Sequence, residues 1–263
     1  DVTLANLAIT GGQYGIQAGN VDSDNLHMAH LEVYGNTSGA IDLNNGNDLV
    51  VLRDSLIRDN AGGVALAGVG SQVFDNQFLF NSGTGLSVSG LRGHVFDNVA
   101  YGNSWGITAS AGGAATRADW TVVEGNRVFD NSNGIYGLSN VEVRENEAWG
   151  NGIGIQVENL AVALRNESWG NTTGVYLGGS SANGVGRENR VWGSAVGMSG
   201  YSALFEGNRV YGNTVGIRDD GYGRVFNNLV YDNTSVGIHV DYAHNVGADG
   251  VVNNTVHQVG GRA

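Results

Sequence analysis

The stretch "NEAWGNGIGIQV" (residues 146–157) is followed, in step, by "NESWGNTTGVYL" (residues 166–177). Aligned on the first Asn of this pair, the echo runs the length of the chain. The equivalent positions are Asn6, Leu31, Ser55, Asn76, Asn98, Asn126, Asn146, Asn166, Asn189, Asn208, Asn228 and Asn254, ten of the twelve being Asn. Five residues later stand Gly11, Asn36, Asn60, Asn81, Asn103, Asn131, Asn151, Asn171, Ser194, Asn213, Asn233 and Val259, nine of them Asn. A Gly followed by an aliphatic residue comes next, as in Gly63-Val64, Gly154-Ile155, Gly174-Val175 and Gly216-Ile217. Successive repeats are 19 to 28 residues apart, loose in their loops and tight between the two Asn columns.

Such a period selects among repeat architectures. A leucine-rich repeat would carry Leu at fixed positions and a helical half. A propeller blade needs about forty residues and four strands. A period near 22 with short apolar runs, each bounded by Gly, Asn and Asp, predicts three short strands per repeat. The fold expected is all-β: a parallel β-helix of about twelve coils, each lying about 4.8 Å from the last. One domain over residues 1–263, without an internal boundary, is the expected organisation. The Asn columns are read as corner residues that tolerate a left-handed conformation and whose amides bond in a ladder from coil to coil. Alternation places Ala148, Ile155 and Val157 inside, with Trp149, Gln156 and Glu158 outside.

Composition agrees and narrows the function. The 263 residues include 44 Gly and no Pro or Cys, so many tight turns and no disulfides are expected. Lysine is absent, and all thirteen basic residues are Arg. A net charge of −12 argues against a nucleic-acid partner, and polyanions are repelled unless a cation or a local Arg patch intervenes. No stretch reaches the ~20 apolar residues of a membrane helix, so membrane insertion is not expected. No obvious polar caps close the terminal coils. That predicts a longer natural chain, or ends covered by a partner or by end-to-end self-association.

The repeat Asn-x-hydrophobic-aromatic-Gly-Asn-x-x-Gly-Ile resembles the right-handed parallel β-helix proteins, a group of pectate lyases, polygalacturonases, alginate C5-epimerases and lyases, and non-catalytic surface proteins. The resemblance covers essentially the whole chain. It implies that the outer face of the strand after Gly-Ile lines a substrate cleft, and that the protein works outside the cell or at its surface. The epimerase motif Asp-Pro-His-Glu is excluded by the lack of proline. The polygalacturonase pattern is matched only by Asp219-Asp220, so no family catalytic residue transfers.

Three features carry candidate chemistry. The first is an outward aromatic column, Tyr34, Tyr101, Phe129, Trp149, Trp169, Trp192, Tyr211 and Tyr231. It serves as a platform for sugar rings, as a stripe for lateral self-association, or as a ladder of rings stacked on one another. The second is the outer face after Gly-Ile, bland in its early coils, where Tyr136, Gln156, Tyr176 and Tyr201 are candidate substrate-binding residues. There Arg218, Asp220, His239 and Asp241 fall on two adjacent coils. The quartet could act as acid, base and charge neutraliser on a uronic acid, with His239 the natural proton acceptor, or form an ordinary ion-pair cluster. Stacked carboxylates there would raise at least one carboxyl pKa or recruit a cation, Ca2+ being the one cofactor suggested. The third feature is "DSDNLHMAH", whose Asp22, Asp24, His27 and His30 are read as a metal set or a solvated loop. Two insertions, 110–119 and 241–250, interrupt the rhythm, and in repeat proteins such loops often sit on the binding face. Three function classes follow: a polysaccharide-recognising module, a lyase or epimerase acting on uronic-acid polymers, and a structural rod or filament segment.

Overall fold

A computed structural model describes residues 2–19, 23–179, 184–241 and 250–262. The chain forms two compact units, 1–132 and 133–263. Each unit is a parallel β-helix. Three strands in succession make one turn, and each strand pairs in parallel with its counterpart in the next turn. In the first unit the first sheet runs from Val2–Ala5 to Thr121–Glu124, the second from Ala8–Thr10 to Arg127–Phe129, and the third from Tyr14–Ala18 to Trp105–Ser110. In the second unit the third sheet runs from Asn133–Leu138 to Val236–Val240, the first from Val141–Arg144 to Gly250–Val252, and the second from Glu147–Trp149 to Thr255–His257. Among the described residues the only helical segment is a single 3-10 turn, Arg117–Asp119, in the 110–119 insertion.

The expected inside/outside alternation holds. Ala148, Ile155 and Val157 are fully buried, while Trp149, Gln156 and Glu158 are half-buried on the outer side. Stacking one turn on the next lines up like residues, so the core is continuous columns of Ile, Val, Leu and Ala, with Phe78 and Phe205 the largest fully buried side chains.

Both Asn columns are buried ladders. The Asn76 amide Nδ2 donates to Asn98 Oδ1 at 3.0 Å, and also to the carbonyls of Leu52 and Phe74. Asn98 Oδ1 accepts the backbone N–H of Asn76 as well, so one side chain closes the chain reversal of two turns. The second column repeats the device from Asn36 through Asn60 and Asn81 to Asn103, and in the second unit from Asn151 to Asn171. Asn213 likewise donates to Asn233, whose own backbone N–H is accepted by Gln258 Oε1.

Two sequence expectations are corrected. The left-handed corner residue is not the ladder Asn but the residue before it: Asp54, Asp75, Asp97 and Glu145 all have φ between 51° and 56°. The ladder Asn that follows is not left-handed, and its buried side chain bonds to the next turn. The first turn is also offset by one residue. Leu7, not Asn6, stands above Leu31, since Ala8 pairs with Glu32; Asn6, with φ 57°, is the corner residue. Gly12 likewise replaces Gly11, its N–H bonding Asn36 Oδ1 at 3.1 Å. Leu7 and Leu31 both break the Asn pattern in these first turns, which removes the signal that would have fixed the register.

Candidate functional site

The outer aromatic column lies on the second sheet. Trp149, Trp169, Trp192, Tyr211 and Tyr231 stack in succession, with centroids 4.9, 5.0, 5.8 and 4.9 Å apart and planes within 8° of parallel. In the first unit Tyr101 stacks on Phe129 at 4.8 Å, and the first sheet carries a similar pair, Phe74 on Phe96 at 4.7 Å. Parallel strand spacing forces this arrangement: rings repeated at one position cover each other's faces. The ladder therefore offers ring edges to solvent, whereas a sugar platform needs an open face. Trp169→Ala removes two stacked partners at once. It is expected to lower the unfolding free energy by about 2 kcal/mol in chemical denaturation and to leave glycan affinity near that of the wild type.

The third sheet of the second unit presents a different surface. Its strands hold Tyr136, Gln156, Tyr176, Ser199, Arg218 and His239 in one register column, as the sequence spacing predicts. Glu158 lies beside this column and accepts hydrogen bonds from Gln156 Nε2 at 2.7 Å and Tyr136 Oη at 3.3 Å. Burial, with the Glu158 charge adding to it, pushes the Tyr136 phenol up to about 12. Burial likewise raises the Tyr176 phenol, helped by Glu158 and Asp220 and opposed by Arg218. Both phenols are thus neutral hydrogen-bond donors near neutral pH. Because the folded Tyr136 value lies above the ordinary one near 10, its contribution to stability is complete below about pH 10 and is lost as pH rises through about 12. Tyr136→Phe should flatten that alkaline loss in pH-resolved thermal melts.

The Tyr176 ring lies over Gly178, where an added Cβ would meet the ring Cε1 at 2.6 Å. Ser199, between Tyr176 and Arg218 in register, is buried although it faces outward. Tyr201 is exposed and packs edge-on against Tyr222 at 5.6 Å.

The quartet faces outward, and its members are paired within each turn. Arg218 Nε is 2.8 Å from Asp220 Oδ1, and His239 Nε2 is 3.0 Å from Asp241 Oδ1. Arg218 and His239 are register neighbours. The Arg218 Nε atom is buried without a hydrogen-bond acceptor in good alignment, and the hydrogen bond to Asp220 runs from Nη2 at 3.4 Å. Distance alone therefore overstates that contact, and the guanidinium keeps unused donors. With Asp220 engaged by Arg218 and Asp241 by His239, the donor set does not fit Ca2+, which takes about six to eight oxygen ligands. Among the described residues no group of three or more His, Asp or Glu is placed to hold a metal. In the "DSDNLHMAH" segment, Asp24 accepts the backbone N–H of Asp48 at 2.9 Å, His27 lies in the strand Leu26–Ala29, and His30 is a corner residue. Asp22 lies outside the described residues, as does most of the 241–250 insertion.

Sequence reasoning missed three features. Asp219 points inward and is buried, where it accepts the N–H groups of Gly221 and Gly223 at 3.0 and 3.1 Å. Burial raises its carboxyl above the usual range, against the pull of those two donors. Its place on the inner side of the strand follows from the alternation with Arg218 and Asp220. A half-exposed column of Ile153, Thr173, Val196, Val215 and Val236 runs beside the polar one, giving the face an apolar margin. In the first unit, Tyr14, Gly39, Asp42, Gly62, Gly63 and Ser87 help line a hollow of about 340 Å³ on the third sheet. Ala65 and Ser87 in its lining are among the outer positions read as bland, whereas Gly39 and Gly62, which leave this space, carried no reading.

The family model described as "Right handed beta helix region" matches residues 40–191. No curated protein matches in sequence. Among solved structures, the A-module of mannuronan C-5 epimerase AlgE6 from Azotobacter vinelandii is similar, with a TM-score of 0.58 at 20% identity over 91% of this chain and 65% of that one. The AlgE4 A-module of the same organism gives 0.62 at 16% identity over 99% and 77%. A variant of the periplasmic alginate epimerase AlgG gives 0.51 at 10% identity over 97% and 73%. At these identities the likeness is one of fold, and the chain spans less than two thirds of the AlgE6 module.

Proposed function

The chain belongs to the right-handed β-helix family, and we propose that it binds an acidic polysaccharide along the third-sheet face of its second unit. The observation that carries this reading is the in-register column from Tyr136 to His239. It places one aromatic or hydrogen-bonding side chain on each successive turn and ends in Arg218 and His239. A linear polymer of sugar rings matches a surface that repeats its contacts every ~4.8 Å. Neutral phenols and Gln156 suit hydroxyl groups, the apolar margin suits the ring faces, and the free guanidinium donors of Arg218 suit a carboxylate. The arginine also answers the net charge of −12, which by itself disfavours an anionic polymer. Structural neighbours named as mannuronan and alginate epimerases support a uronic-acid polymer as the class. An extracellular, periplasmic or cell-surface location accords with such a ligand. No described helix is long and apolar enough to cross a membrane.

The test is titration of the intact protein with alginate and with de-esterified pectin. Arg218→Ala and His239→Ala are each expected to weaken binding about tenfold, the effect of losing one charge-assisted contact. Full affinity in both folded variants would reduce the quartet to an ion-pair cluster.

A second reading, catalysis on the same polymer, is favoured by one observation: an imidazole held by a carboxylate stands next to an arginine. With Nε2 engaged by Asp241, the other ring nitrogen of His239 can accept the proton at C5 of a uronate. Arg218 would meanwhile neutralise the carboxylate as charge builds on it. Return of a proton to the opposite face gives epimerisation. Loss of the C4 oxygen substituent, with protonation of the leaving oxygen by a phenol such as Tyr176, gives elimination. Deuterium uptake at C5 or new unsaturated ends detects the one or the other, and the absence of both leaves recognition alone.

A further inference from the structure

The second sheet of the second unit carries a charge arrangement that the third-sheet reading does not use. The residues one turn apart beside the aromatic ladder are Glu147, Glu167, Arg190, Arg209 and Leu229, so two arginines stand next to each other in register. Like charges at strand spacing repel, yet here both are held in place. Arg190 lies beside the stack, 4.7 Å from the Trp192 centroid and 5.7 Å from that of Tyr211, and donates through Nε to Tyr211 Oη at 2.9 Å. Arg209 sits beside the Tyr211–Tyr231 stack, 5.3 and 5.4 Å from the two ring centroids, and donates through Nε to Tyr231 Oη at 2.8 Å. The same contact is made twice, one turn apart, and it fixes both guanidinium planes.

The two differ in neutralisation. Arg190 shares its Nη1 with Glu167 at 3.3 Å. Among the described residues no carboxylate pairs with Arg209, whose two terminal nitrogens have no acceptor. A guanidinium held by its Nε beside the edge of the ring stack, with its terminal fork open to solvent, is preorganised for a planar anion. Fixing the side chain beforehand removes much of the ordering cost of binding.

We propose that Arg190 and Arg209 form a second anion-binding station that takes carboxylate groups of an acidic polysaccharide on the second sheet. The inference rests on the polysaccharide reading for the nature of its ligand, but it uses a different face and different residues. The carboxylate sits in the Arg209 fork, and Arg190 adds long-range attraction. Polymer engaged on both sheets would be held by two contacts on one molecule, which raises the overall affinity without any new interaction at the third sheet.

The experiment compares wild type, Arg209→Gln, Arg209→Lys and Arg218→Ala in calorimetric titration with alginate, dextran sulfate and neutral dextran, each variant checked by its melting temperature. Expected are about tenfold weaker alginate binding for Arg209→Gln, a smaller loss for Arg209→Lys, which keeps the charge without the fork, and no binding to dextran. Wild-type affinity for alginate in folded Arg209→Gln overturns the proposal while leaving the third-sheet reading in place. Loss in Arg209→Gln with none in Arg218→Ala supports the station and removes Arg218 from the third-sheet contact. An equal loss of dextran sulfate and alginate binding would overturn the carboxylate assignment in favour of a general polyanion contact. Wild-type protein that does not bind alginate overturns both readings.

Discussion

Replacing Asn98 by alanine is expected to lower the unfolding free energy by about 4 kcal/mol, because one fully buried side chain closes five hydrogen bonds. Its Oδ1 accepts the backbone N–H and the side-chain amide of Asn76, at 3.1 and 3.0 Å. Its Nδ2 donates to the carbonyls of Val73 and Phe96, both at 2.9 Å, and to Asn126 Oδ1 at 3.0 Å. Alanine strands the Asn76 N–H most severely, since that donor has no other acceptor and no route to water. Each stranded buried group costs about 1–3 kcal/mol. The protein supplies its own graded control. Ser55 occupies the same column, where its Oγ accepts the N–H of Leu31 at 3.0 Å and donates to the Arg53 carbonyl at 2.8 Å. Asn98→Ser should therefore cost roughly half as much as Asn98→Ala. Urea unfolding of the three proteins decides the matter, and a loss below about 1 kcal/mol for the alanine variant would show that water replaces the ladder.

That ladder also explains which parts of this molecule could be read in advance. Periodic columns were legible because a parallel helix of strands places equivalent residues one above another, so structural demands recur at a fixed phase. The Asn columns, the inward Ile155 and Val157, and the register of Tyr136, Gln156 and Tyr176 all followed from that. Local conformation was less legible. Asp75, Asp97 and Glu145 take the left-handed corner while the Asn after each spends its side chain on the ladder, and no propensity scale ranks Glu above Asn there. Pairing within the site was hidden as well. Spacing put Arg218 beside His239, but only rotamers show each basic group turned along its own strand, to Asp220 and Asp241. The aromatic column was visible as a column, and its use as a covered stack followed from ring geometry.

The Gly of each Gly-aliphatic pair was read from the sequence as a marker without a cause, and its cause gives the second large effect. A Cβ built on Gly216 would lie 2.4 Å from the carbonyl oxygen of Gly237, 2.8 Å from Asn233 Nδ2 and 2.9 Å from a methyl of Val230. Gly134, Gly154, Gly174 and Gly197 meet the next turn in the same way, each facing the carbonyl oxygen of the following Gly at 2.3 to 2.6 Å. The column is a channel of missing side chains through which successive turns approach to strand spacing. Gly216→Ala is expected to destabilise the second unit by about 3 kcal/mol, since the obstacle is backbone and cannot swing aside. Arg218 stands two residues further along the same strand and pairs in register with His239, two residues beyond Gly237. Forcing these two strands apart therefore displaces both Arg218 and His239, and polyuronate affinity should fall together with stability. Gly212→Ala separates sterics from backbone strain. Gly212 has φ +63° but nothing within 4 Å of its added Cβ. Only the left-handed penalty of about 1 kcal/mol applies there, and binding should be retained. Equal losses in the two variants would mean that conformation, not contact between turns, selects glycine in this fold.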